Sequence, residues 1–248
     1  MPAEPIVLTT HEAHVSAKNE VVYEISVSHY QERAEERYAG NDQWLKPIIS
    51  ALGFAPGARA VDVGCAVGTN SLYLANQGYS VTGIDSSPLM ISAARAAARN
   101  SGLTNRPRFV RQDFCTWVPV EEHERLFDLV LATAFVHLFP APLDRDITDA
   151  LLSHVAPGGA AIISTTVEPL HSQALRSKHD DDDPGPGPGQ PLSQVRWRNN
   201  YTRETFRNLV ERVAASRFGP TFTMAEHTSL DPARSQKQWS DIVVTRPF

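Results

Sequence analysis

The stretch VDVGCAVGTNSLYLANQGYSVTGID, residues 61–85, constrains the fold more than any other part of the chain. The apolar run over 59–63 ends at Gly64 and reads as a buried strand. Thr69 to Gln77 has helical character and Gly78 stops it. Ser80 to Ile84 reads as a second strand, with Asp85 at its end. A strand, a glycine loop, a helix and a second strand imply parallel pairing with a helical crossover. In open α/β sheets, ligands bind beyond the carboxyl ends of the strands. Small residues there let backbone approach a ligand, and the helix start offers unpaired N–H groups. An acid such as Asp85 can accept hydrogen bonds from both hydroxyls of a ribose. A nucleotide-like ligand follows. A dinucleotide fits less well, because Ala66 and Thr69 stand where G-x-G-x-x-G needs its second and third glycines. No Gly-Lys-Ser/Thr follows, so the Walker phosphate loop is absent.

The alternation continues downstream. Ser87-Pro88 is a helix start, with serine as N-cap and proline at the first helical position, and the alanine-rich run carries that helix to about Asn100. Arg108–Arg111 and 127–133 read as strands, Leu143–Val155 as a helix, and AAIISTT after Pro157-Gly158-Gly159 as a fifth strand. Thr202 reads as the N-cap of a further helix with a Phe206, Leu209, Val210, Val213 stripe, and strands are expected around 219–227 and 238–245. The fold class expected is α/β, a Rossmann-like seven-stranded mixed sheet with the last strand antiparallel and helices on both faces. Residues 1–54 form a leader (loose to about residue 18) and a helical cap, whose two helices over 28–52 part at Gly40 and end at Gly53, with Pro47 inside the second. Residues 55–248 form the ligand-binding domain. The acidic, Pro/Gly-rich block at about 169–195 reads as a mobile surface loop.

Composition excludes several classes. The net charge of −5 argues against a nucleic-acid surface. Two cysteines, Cys65 and Cys115, make neither a disulfide framework nor a C-x-x-C metal pair, so a cytoplasmic location is expected. No apolar stretch approaches the roughly 20 residues of a membrane span, and the N-terminus lacks a signal-peptide pattern. Neither a nucleic-acid nor a membrane partner is therefore expected; a monomer or homodimer is the expected state.

DVGCAVGTNS resembles the first motif of class I S-adenosylmethionine (SAM)-dependent methyltransferases, D/E-x-G-x-G-x-G, with Asp62, Gly64 and Gly68 matching and Ala66 departing. The resemblance implies that Asp62 and the Gly64–Cys65–Gly68 backbone hold the methionine part of SAM. GIDSSPLMI resembles the second motif, which implies Asp85 on the ribose and Ser86 and Met90 near adenine. VRQDFCTW resembles the third, with Asp113 accepting from the adenine amine and Phe114 donating its backbone N–H. The fourth-strand motif, FDLVLATAFVHLFP, adds Thr133 and Ala134 to the cofactor wall, and LLSHVAPGGAAIIST resembles the stretch before strand five. These motifs run in family order over about residues 58–166. The implied cofactor is SAM, leaving S-adenosylhomocysteine (SAH), with no metal.

The implied reaction is methyl transfer to an O or N nucleophile of a small metabolite. Ala132-Thr133-Ala134-Phe135 is not the Asn/Asp-Pro-Pro-aromatic motif of amide and exocyclic-amine methyltransferases. His137, just past the fourth strand, is the candidate general base, since a neutral imidazole takes a proton at neutral pH. Tyr30, in the region that covers the cofactor in similar enzymes, is a candidate for its carboxylate end. Arg196, Trp197, Arg198 and Tyr201 are candidate substrate contacts, an aromatic between arginines suiting an anionic or planar molecule. Alternatives are a SAM-binding cyclase-type enzyme that does not methylate, an NAD-dependent oxidoreductase, and a SAM-sensing subunit.

Overall fold

A central sheet of seven strands orders the molecule, β3-β2-β1-β4-β5-β9-β8. The structure is a computed structural model that describes residues 6, 7, 9, 19, 23, 26–117, 125–177, 195–230 and 238–248. Helices α1 (Val27–Glu32) and α2 (Ala34–Leu52) precede β1 (Arg59–Val63), α3 (Thr69–Asn76), β2 (Ser80–Asp85), α4 (Pro88–Asn100) and β3 (Arg108–Arg111). Then come β4 (Phe127–Thr133), α5 (Leu143–Ser153), β5 (Val155–Thr166), β6 (Ser172–Ser177), β7 (Val195–Asn200), α6 (Arg203–Phe218), β8 (Thr223–Leu230) and β9 (Gln238–Thr245). Strands β1 to β5 pair in parallel, and β9 runs antiparallel to both β5 and β8. This is the expected mixed sheet. Its order reverses between β1 and β4, which opens a crevice at the carboxyl ends of those strands.

Successive strand residues face opposite ways, and both faces are covered. Leu129 and Leu131 of β4 pack with Trp44, Leu45 and Ile48 of α2 and Tyr73 and Leu74 of α3. Val130 and Ala132 pack with Leu143, Ile147 and Leu151 of α5 and Phe206 and Val210 of α6. Each such fully buried large side chain contributes about 1.5–3 kcal/mol. Local chemistry sets several boundaries as expected. Ser87 Oγ accepts from Met90 N with Pro88 at the first helical position, Thr202 caps α6 through Thr205, and Gly53 closes α2 at φ +65°.

Four expectations need correction. Gly40 does not part the first two helices. It lies buried inside α2, and the break falls at Arg33. One helical glycine costs only about 1 kcal/mol, less than the burial of Trp44, Leu45, Ile48 and Ile49 returns. Residues 172–177 are not loop but β6, paired antiparallel with β7; residues 178–194 lie outside the described residues. The strand expected at 219 begins at Thr223, after a 3-10 turn over Gly219–Thr221. Within the supposed loose leader, Ile6 donates its N–H to Cys115 O at 2.9 Å and packs against the core.

Candidate functional site

The loop after β1 is tightly curled. Gly64 N and Cys65 N both donate to Ile84 O, at 2.9 and 3.0 Å, and Gly68 N donates to Cys65 O. Gly64 (φ +70°) admits no side chain, since a Cβ there would stand 2.7 Å from the Phe135 ring. At Gly68 (φ +82°) a Cβ would stand 2.6 Å from the Phe109 ring and 3.1 Å from Ala94. Gly68 therefore serves helix-to-strand packing, whereas Gly64 lies in the wall of a cavity. Ala66 adopts φ +47°, a left-handed conformation that an alanine takes at a cost. Its N–H donates to Asp85 Oδ2 at 3.0 Å, while Ser87 N donates to Asp85 Oδ1 at 3.0 Å.

The cavity, about 570 Å³, opens at the crevice where the sheet order reverses. Its size suits a small-molecule site of roughly 300–1,000 Å³. Of the residues singled out in the sequence, Tyr30, Gly64, Cys65, Asp85, Ser86, Met90, Asp113, Phe114, Thr133, Ala134, His137 and Arg198 line it together. A loop free of side chains at Gly64, a carboxylate at the end of β2 and an acid after β3 form one concave surface. That arrangement fits a nucleoside with an attached amino-acid chain.

Four of the residues singled out sit elsewhere. Asp62 is buried behind the loop and accepts from Ser71 Oγ at 2.6 Å, tying β1 to α3. Gly68 packs as described. Trp197 is not in the wall, and its backbone N–H donates to Asn19 Oδ1 at 2.7 Å. Tyr201 is buried and turned from the cavity. Its hydroxyl donates to Asp144 Oδ2 at 2.7 Å and accepts from Asn199 Nδ2 at 2.8 Å, because a buried phenol must satisfy its oxygen. The side chain of Arg196 lies outside the described residues.

His137 sits on a 3-10 turn, Val136–Leu138, after β4. It is buried, with Nδ1 2.9 Å from Thr165 Oγ1. Arg198 is 6% exposed. Its Nε donates to Asn200 Oδ1 at 2.7 Å, and a terminal nitrogen donates to Thr166 Oγ1. Two adjacent threonines at the end of β5 thus hold the two groups. Asn19 bridges the same region, donating to Leu138 O at 2.9 Å while accepting from Trp197 N. Thr166, Asn19, Arg37, Asn41 and Trp239 were not picked from the sequence as wall residues. The strand-end rule would have found Thr166. No local signal marks Asn19.

Burial raises both acids of the loop region. Asp62 is pushed up to about 6, with the Ser71 bond opposing the rise and the nearby Asp85 charge adding to it. Asp85 is raised by burial, against the lowering effect of the Ser87 and Ala66 N–H groups. Cys65 is pushed well up by burial and by both acids, so it is a poor nucleophile. Among the described residues, no group of three or more His, Cys, Asp or Glu could hold a metal ion. No helix among them is long and apolar enough to cross a membrane.

The family model described as a methyltransferase domain matches residues 60–159. The chain is 31% identical over 215 residues to a trans-aconitate 2-methyltransferase of Methylobacterium radiotolerans, covering 84% of this chain and 77% of that protein. It is 34% identical over 113 residues to a ubiquinone biosynthesis O-methyltransferase of Psychrobacter cryohalolentis, where it spans only 41% of the relative's length. In fold it is similar to a Burkholderia thailandensis 1,6-didemethyltoxoflavin-N1-methyltransferase solved with its substrate and SAH, at TM-score 0.65, 18% identity, 100% of this chain and 94% of that one. Carrying the loop, the strand-end acids and this extended similarity, the chain belongs to the class I SAM-dependent methyltransferase family.

Proposed function

We propose that this chain transfers a methyl group from SAM to an O or N nucleophile of a small molecule. The observation that carries the reading is Asp85. Its carboxylate closes β2 in the cavity wall, beside a Gly64 backbone that tolerates no side chain. Asp85 would accept from the ribose hydroxyls, Asp113 from the adenine amine, and Met90 and Phe114 would flank the base. Tyr30 would reach the carboxylate end. SAM supplies a methyl group on a sulfonium, already electrophilic and with a neutral leaving group. The protein's task is then alignment and removal of a proton from the acceptor.

His137 is suited to that proton. Thr165 Oγ1 also lies 3.4 Å from Thr166 O. With the hydroxyl proton directed there, Oγ1 accepts from His137 Nδ1–H and the lone pair resides on Nε2, as a base requires. The burial of His137 beside Phe135 and Phe139 keeps bulk water from the transfer. The relatives that act on trans-aconitate and in ubiquinone biosynthesis support a small metabolite as acceptor.

The test is calorimetric titration with SAM, SAH and NAD⁺, followed by a metabolite screen that detects SAH release. SAM and SAH binding without NAD⁺ binding supports the reading. NAD⁺ binding alone would overturn it. In the screen, His137→Ala is expected to lower turnover by about 10²–10⁴-fold. A fall of less than about threefold would remove the base role.

A further inference from the structure

Two segments that carry residues of the cavity wall lie outside the seven-stranded sheet. One is the 3-10 turn Val136–Leu138 with His137. The other is β7 with Arg198, which pairs with β6 in a separate two-stranded sheet. A third segment joins them. Asn19 Nδ2 donates to Leu138 O at 2.9 Å, and Asn19 Oδ1 accepts from Trp197 N at 2.7 Å. Leu138 follows His137, and Trp197 precedes Arg198. Asn19 is buried and itself lines the cavity.

The link needs this side chain's chemistry. The carbonyl that ends a helical turn takes its donor from elsewhere, and a backbone N–H removed from water needs an acceptor. A carboxamide offers both in one plane, whereas a leucine of similar size offers neither. The far end of β7 is fastened separately, by Glu168 N donating to Tyr201 O at 2.8 Å. Asn19 therefore sets the near end, at the turn. The turn in turn directs His137, whose Nδ1 meets Thr165 Oγ1 at 2.9 Å. A displacement of about 1 Å can cost roughly 10²-fold in rate. The proposed cofactor anchor lies apart from this link. Asp85 ends β2, two places from β4 in the sheet order, about 10 Å at roughly 4.8 Å each.

We propose that Asn19 is a positioning residue for methyl transfer, fixing the His137 turn against β7 so that the imidazole keeps its bond to Thr165. The assignment rests on the reading of His137 as the base. It makes the acceptor side of the cavity a product of three segments. Two of them, Asn19 and β7, lie outside residues 60–159, which the methyltransferase family model matches.

The experiment observes His137 in the full chain loaded with SAH, by long-range proton–nitrogen correlation NMR at about pH 8, where imidazole is neutral. His137→Gln identifies its signal. In the wild type the Nδ1–H tautomer is expected. In Asn19→Ala and in Asn19→Leu, which keeps most of the volume, the ratio of that tautomer to the Nε2–H form should fall about fivefold or more, as loss of a hydrogen bond implies. SAH affinity should stay within about twofold. With any acceptor found in the metabolite screen, kcat should fall about 10²-fold while KM for SAM holds. A side chain that served packing alone would lower unfolding stability without moving the tautomer ratio. An unchanged ratio or an unchanged kcat, in a variant that keeps the native circular-dichroism spectrum, overturns the assignment. Loss of that spectrum in both variants overturns it too, by making Asn19 a residue of the fold. If the wild-type chain does not bind SAH, or its His137 holds the Nε2–H tautomer, the reading of the site fails first and this assignment falls with it.

Discussion

The backbone N–H of Ala66 donates to Asp85 Oδ2 at 3.0 Å, so the loop after β1 is pinned to the carboxylate that closes β2. One acid thus both shapes the loop and faces the cavity. The same bond holds Ala66 at φ +47°, at the position where the motif D/E-x-G-x-G-x-G has its middle glycine.

Ala66→Gly should relieve that conformation. A left-handed alanine costs about 1–2 kcal/mol, and part of the gain is lost to the freer unfolded chain. A net stabilisation of about 1 kcal/mol is expected in urea unfolding, with a Tm rise of about 2–4 °C. A variant less stable than wild type would mean that the alanine methyl makes contacts worth more than the strain.

Asp85→Ala removes the proposed ribose acceptor and the anchor of Ala66 together. SAM affinity should fall by about 10- to 100-fold, the worth of one or two charged hydrogen bonds, while the circular-dichroism spectrum stays native. Unchanged SAM affinity in calorimetry would remove Asp85 from the cofactor site.

Asp62 makes stability depend on pH. Its pKa rises from 3.8 to about 6 in the folded protein through burial, so the folded state holds the proton more tightly than the unfolded chain. Stability from this group is fully present below about pH 4 and is lost as pH rises towards 6. Asp62→Asn keeps an acceptor for Ser71 and removes the titration. Its stability relative to wild type should therefore climb by up to about 3 kcal/mol between pH 4 and pH 6.5, then level off. Parallel pH profiles for the two proteins would show that Asp62 ionises at its ordinary value.

Tyr201→Phe separates packing from recognition. The lost hydroxyl leaves Asp144 and Asn199 each short of a buried partner, which costs about 1–3 kcal/mol in unfolding free energy. SAH affinity should stay within about twofold. A weaker acceptor KM with unchanged stability would instead return Tyr201 to the substrate site.

The strand–loop–helix–strand unit was legible because its signals are local. Ser87 and Pro88 start α4, Gly53 ends α2, and β3 and β4 have the expected limits. Gly40 misled because a helix interior tolerates one glycine when the helix face is buried against a sheet, and the sheet is not visible from residues 28–52. The strand β6 was hidden for a related reason: its pairing with β7 crosses the acidic Pro/Gly-rich block.

The sequence by itself determined the proposed cofactor half of the cavity, from Gly64 through Asp85 to Asp113, because each of those residues stands at or just past the end of a strand readable from its own neighbours. Only the tertiary structure decided the other half. Thr165 meets His137 across 28 positions, Thr166 meets Arg198 across 32, and Asn19 reaches Trp197 across 178. The same folding turned Tyr201 inward to Asp144 and left Arg198 facing the cavity. A side chain's direction there depends on which buried polar groups must be satisfied, and those partners come together only when distant segments pack.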